Sequence, residues 1–144
     1  MLGLLGIGGG AVGLVALGST IANTAVGAMD GVIMAFAGLL YVFGGYCGVA
    51  ALRKAPGWLH FNQLFWAIQV PVISSPLASY FFATGGFLSI WLQVYPPIHG
   101  GFNFMVGSSF TINFFASSPV AFGVNVFAAA IAVYLARLGK ARAA

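Results

Sequence analysis

From Ala55 to Ala136 the chain carries no Asp, Glu, Lys or Arg. Its one acidic residue is Asp30, and its five basic residues form two clusters, Arg53-Lys54 and Arg137, Lys140 and Arg142. Charged residues make up 4% of the chain, against roughly 25% in a soluble domain. A charge near a bilayer centre costs about 2.5–3.5 kcal/mol on insertion scales, so membrane segments shed charge. The expected class is therefore an integral membrane protein. A formal charge of +4 does not point to nucleic acid, because binders of that kind spread Lys and Arg over a face. Here the basic residues are confined to two segment ends, where they fit juxtamembrane anchors.

A membrane-crossing helix needs about 20 apolar residues. Four runs fit: 2–22, 29–52, 58–80 and 119–138. The third contains Pro71 and Pro76 and is expected to be a kinked helix. Residues 77–94 are also apolar enough to cross and leave an ambiguity. Parity reduces it. If both basic clusters face the cytoplasm, the chain between them crosses an even number of times. Two crossings leave 81–118 outside or re-entrant. The expected fold is all-α, a single membrane domain of about four transmembrane helices with a short extracytoplasmic β-hairpin. Both termini would be cytoplasmic, in a bacterial inner membrane. Val26-Gly27-Ala28 has the small residues of a signal-peptidase site, but no basic region precedes the apolar stretch, so the segment is expected to be retained.

The hairpin expectation rests on alternation. Phe102, Phe104, Phe110, Ile112 and Phe114 share one face if 102–106 and 110–114 are strands, and Gly107-Ser108-Ser109 has turn chemistry. This aromatic face is a candidate docking surface outside the membrane, following a break at Tyr95-Pro96-Pro97. An irregular interfacial loop is the other reading.

Gly6, Gly9, Gly10 and Gly13 in the first run, and Gly44 and Gly48 in the second, have small-xxx-small spacing. Such glycines let helix backbones approach closely in lipid, within one chain or between chains. The glycine-rich first run resembles the proton-carrying rotor subunit of ATP synthases. That family places a carboxylate in mid-membrane on its second helix, whereas Asp30 stands at the end of the second run. The stretch from Tyr41-Val42-Phe43-Gly44-Gly45-Tyr46 to Arg53-Lys54, an apolar glycine-rich helix closing on a basic turn, resembles pilin-like membrane subunits of type IV secretion systems over less than a quarter of the chain.

Asp30 fits either a helix cap or a cation site. Asn62, Gln69, Ser74, Ser75 and Asn125 form a candidate buried polar layer. Its members would hydrogen-bond between helices or line a ligand path. His60 and His99 fall on opposite sides of the expected topology, which excludes a shared haem. Cys47, the only cysteine, reads as a small buried hydrophobe. No Cys/His cluster has metal-ligand spacing, and no cofactor is implied. One carboxylate and two separated histidines offer few acid–base pairs, so catalysis is not expected. The expected function is a small non-catalytic subunit of a larger membrane complex. Its partners would be the lipid bilayer and other membrane subunits or copies of itself. A homo-oligomeric pore or channel, or a pilin-like component of a secretion system, is the alternative.

Overall fold

The structure is a computed structural model that describes every residue except Thr24, Val26, Tyr95, Pro96, Ala116 and Ala144. Val26, in the small-residue stretch expected to be retained, and the start of the Tyr95-Pro96-Pro97 break therefore lie outside the described residues. Helix α1 spans Leu2–Asn23 and α2 spans Ala28–Arg53. They run antiparallel with a glycine seam between them. A Cβ on Gly6 would lie 2.8 Å from the Gly44 carbonyl oxygen, and one on Gly10 would lie 2.7 Å from that of Tyr41. Asp30 is the third residue of α2, and its Oδ2 accepts the Gly27 N–H at 3.3 Å. That is the cap arrangement, favoured by the positive end of the helix dipole. At the other end Lys54 adopts a left-handed conformation with φ 49° and closes α2.

The all-α expectation is overturned. Among the described residues only α1 and α2 are long and apolar enough to cross a membrane, by length and composition. The expected third helix, 58–80, ends early. Helix α3 covers only Trp58–Ile68, and the chain then enters strand β1, Pro71–Ser74. Pro71 stops the helix rather than kinking it. It lacks the N–H that would bond four residues back, and it disfavours a helical conformation at Val70. Gln69 and Val70 accordingly tighten the last turn, bonding the carbonyls of Trp66 and Ala67 three residues back. Val72 and Ile73 then favour the pleated chain. The expected fourth helix, 119–138, is also divided. Residues Ala121–Asn125 form strand β6, and helix α4 occupies Val126–Ala143. Asn125 marks the change, its Oδ1 accepting the Ala128 N–H at 3.3 Å.

Between β1 and β6 lie β2 (Ala78–Ala83), β3 (Phe87–Gln93), β4 (His99–Met105) and β5 (Ser109–Phe114). All six strands form one antiparallel sheet in the order β4-β3-β6-β1-β2-β5. The expected 102–114 hairpin is thereby corrected. Its two halves are strands, but β4 pairs with β3 and β5 pairs with β2. They stand at opposite edges of the sheet. In a flat sheet, five steps of about 4.8 Å would separate them by about 24 Å. The four steps along the chain from Met105 to Ser109 reach at most about 14 Å. The sheet must therefore curl strongly. Phe81 of β2 and Phe87 of β3 confirm it, with ring centroids 4.8 Å apart although two strands intervene.

The curled sheet and the short helices occupy different halves of the α1–α2 pair. The β2–β3 turn abuts mid-α1, where Gly9 has no room for a Cβ against Thr84 and Gly85. Gly85 takes φ +75°, a conformation that suits glycine. Ser108, at the tip of the expected hairpin, donates to the Gly9 carbonyl. From there β5 rises to Asn113, which shares a cleft with Thr20 and Asp30. Alongside the other half, the Phe65 ring of α3 covers Gly44, and Trp66 meets Phe127 of α4 with centroids 5.9 Å apart.

Candidate functional site

The curl gives the sheet an inner and an outer face, and the two differ in chemistry. Phe81, Phe87, Ser89, Trp91 and Asn103 line a cavity of about 170 Å³ with Val72, which identifies the inner side. Strand alternation assigns the rest. Every Ser, Thr, Asn, Gln and His of the six strands falls on that side: Ser74, Ser79, Ser89, Gln93, His99, Asn103, Ser109, Thr111, Asn113 and Asn125. The outer side carries Ile73, Tyr80, Phe82, Leu88, Ile90, Leu92, Phe102, Phe104, Phe110, Ile112, Phe114, Phe122 and Val124. Tyr80 is its one polar member, and its hydroxyl donates to the Ile68 carbonyl at 2.8 Å. The polar strand residues other than Tyr80 are thus confined to the inner side, which they share with Val72, Phe81, Phe87, Trp91 and Met105, while the outer side is apolar.

The helices cover only part of the outer face. Phe82 is fully buried against Tyr41 and Phe65, with centroids 5.4 and 6.2 Å away, and Phe110 packs at the same core. The β4-β3-β6 portion is bare: Phe102 is 74% exposed, Phe104 69%, Ile90 57% and Phe122 56%. Inside, Trp91 fills the middle of the sheet. Its ring lies across Gly101, where a Cβ would be 2.9 Å from Cζ2, and its own Cβ would be 2.8 Å from one on Gly123. The His99 ring stands 5.4 Å from it. Ser79 Oγ, Trp91 Nε1 and Asn125 Nδ2 are buried with no hydrogen-bond partner among the described residues.

The structure divides the expected polar layer. Asn62 is buried at the α2–α3 contact, donating to the carbonyls of Cys47 and Trp58 at 2.9 Å each. Gln69 and Asn125 are buried at the two places where helix becomes strand. Gln69 Oε1 accepts the Thr84 N–H at 2.8 Å and its hydroxyl at 3.2 Å, while Nε2 donates to the Phe65 carbonyl at 3.2 Å. Ser74 and Ser75 belong to the far end of β1. Ser74 donates to the Pro119 carbonyl, and Ser75 closes the turn before β2.

The glycines Gly6, Gly10, Gly44 and Gly48 are used inside the chain, three at the α1–α2 seam and Gly44 also against Phe65; Gly9 faces the sheet and Gly13 faces the Tyr41 ring. Of the docking set, Phe102 and Phe104 are bare, Phe110 is at the core, and Ile112 shares the cleft beside α1 and α2. The basic residues meet at one end. The Arg142 guanidinium lies 5.6 Å from the Trp58 ring centroid, and Trp58 closely follows Arg53-Lys54. Among the described residues no three of His, Cys, Asp or Glu come together as a metal site.

Sequence reasoning missed Gly123, Thr84, Ser79 and Ser89. The signal was present in 87–93, where Leu88, Ile90 and Leu92 alternate with Ser89, Trp91 and Gln93. No protein-family model, curated protein or solved structure matches this chain.

Proposed function

We propose that this chain is a small, non-catalytic integral membrane subunit that acts by packing with other membrane proteins. The observation that carries the reading is the gathering of both basic clusters at one end, with Arg142 over Trp58, while all else but Asp30 is uncharged. That end fits a cytoplasmic headgroup layer. Helices of 22 and 26 residues extend from it for about 33 and 39 Å, enough to cross a hydrocarbon core of about 30 Å. The non-catalytic part rests on the scarcity of titratable side chains and on their local engagements: Asp30 caps α2, and the Cys47 thiol donates to the Phe61 carbonyl. Since all six packing glycines serve contacts within the chain, partners would be met by the bare apolar surfaces instead.

The test is extraction followed by native mass spectrometry of the full chain. The expected protein stays in membranes washed with alkaline carbonate and, in mild detergent, gives one discrete mass containing a second kind of chain at fixed ratio. Release by carbonate would overturn the membrane reading. Masses only at integer multiples of 14.9 kDa would replace the mixed assembly with a homo-oligomer.

A further inference from the structure

We infer that the outer face of the sheet is a lipid-contacting surface, with acyl chains seated against Ile90, Leu92, Phe102, Phe104, Phe122 and Val124. The inference rests on the membrane reading above and extends it to the half of the chain that is not α1 and α2. Three observations support it.

The first is the apolar outer side itself. A strand that alternates apolar-out and polar-in is the pattern of a sheet whose outside meets hydrocarbon. Here the outward half of the pattern holds in every strand except at Tyr80, whose hydroxyl is already bonded to Ile68, while the inner side mixes polar residues with Val72, Phe81, Phe87 and Trp91. In water a face this apolar would associate without control.

The second is the rim. Protein–protein interfaces have a polar margin around an apolar centre. On the outer side the residues around this patch are Ile73, Leu88, Val106 and Val126, so the apolar surface continues outward there, and the exposed polar residues His99 and Asn103 border it along the β4 edge. Such a surface suits a solvent that is apolar throughout.

The third is length. Strands of 4–7 residues extend about 13–23 Å, short of the 9–11 residues a spanning strand needs. The chain compensates by joining helix to strand. Laid end to end, the 11 residues of α3 and the 4 of β1 reach about 30 Å, the thickness of the hydrocarbon core. Helix α4 and β6 are joined in the same way. Residues Trp58–Ser74 and Ala121–Ala143 would then be composite crossings, helical in the cytoplasmic half and extended in the outer half. An open sheet edge is not tolerated in lipid. The curl answers this in part, because it turns β4 and β5 toward each other at their three-residue connection. Trp91 packed over Gly101 and Gly123 makes the interior a filled core and not a channel.

Site-directed spin labelling of the full chain tests this. In a Cys47→Ala background, single cysteines at Ile90, Phe104 and Phe122 are labelled and reconstituted in phosphatidylcholine–phosphatidylglycerol vesicles. Leu39, exposed on α2, and Lys140 serve as references. All three sheet positions are exposed, so labels there leave the fold intact, which circular dichroism checks. The expected sheet labels collide with oxygen several-fold more than with a water-soluble nickel chelate, as Leu39 does and Lys140 does not. Nickel-accessible sheet labels beside an oxygen-dominated Leu39 would overturn the inference and leave the membrane reading standing. Low collision with both reagents would mean that protein covers the face, and would also overturn it. A nickel-accessible Leu39 would remove the membrane reading itself.

Discussion

Replacing Gly6 with leucine will separate α1 from α2 and destabilise the protein by about 3 kcal/mol or more, whereas Gly8→Ala will be neutral or stabilising. The contrast lies in what each position meets. A Cβ on Gly6 would lie 2.8 Å from the Gly44 carbonyl oxygen and 3.0 Å from the Gly48 Cα. Both are backbone atoms of α2, which cannot rotate aside. Overpacking where side chains can still adjust costs about 1–3 kcal/mol. Here the helix axes themselves must part, which also breaks the contacts at Gly3, Gly10 and Gly48. A Cβ on Gly8 meets nothing within 4 Å. There alanine adds only its helix propensity, about 0.5–1 kcal/mol in favour. Denaturant unfolding in detergent micelles, followed by far-UV circular dichroism, measures both. A Gly6→Leu protein as stable as the parent would show that the seam is not where the helices meet.

Gln69→Leu will destabilise by about 2–3 kcal/mol, and its local signature will appear at Thr84. Gln69 is wholly buried where α3 gives way to β1, and its oxygen is the acceptor for both the backbone N–H and the hydroxyl of Thr84. Leucine fills similar space but accepts nothing. The Thr84 N–H is then a buried donor without a partner, a loss of about 1–3 kcal/mol, and the hydroxyl adds to it. Thr84 belongs to the turn that seats the sheet on Gly9, so the change loosens the sheet from α1. Amide hydrogen exchange will show Thr84 and Gly85 faster than in the parent, with Gly44 and Cys47 little changed. Thr20→Ala is the control. Its hydroxyl donates to the Ala16 carbonyl within its own exposed helix turn, and its loss will cost a few tenths of a kcal/mol. Equal effects of the two substitutions would mean that the Gln69–Thr84 contact does not hold the sheet.

The first two apolar runs were legible because their length and glycine spacing allow only helices, and Asp30 three residues into α2 announces its cap. The basic ends were legible as ends. The third and fourth runs were not. A long apolar run without a clear period reads as helix or strand alike. Length favoured a helix, and Pro71 then looked like a kink. The residues that decide otherwise are Val70-Pro71-Val72-Ile73, a proline followed by β-branched side chains, and Gly123 in the middle of what had been counted as helix. Pairing was also out of reach. Ser74 faces Ala121, and Gln93 faces both His99 and Ala121. Such partners are set by the curl of the whole sheet, whereas the alternation in 102–114 suggested the nearest partner. The polar residues were singled out one by one, but their common inner face follows only from the register.

The central claim is that the apolar runs 58–80 and 119–138 each change between helix and strand part-way through. Solid-state NMR of the uniformly labelled chain in phospholipid bilayers tests this most directly, through Cα and Cβ secondary shifts of residues 58–83 and 119–138. The account predicts helical shifts from Trp58 to Ile68 and from Val126 onward. It predicts extended shifts at Val72, Ile73, Tyr80, Phe81, Phe122 and Val124, and a contact between Ile73 and Phe122 across the sheet. Helical shifts running unbroken from Trp58 through Tyr80 would contradict it.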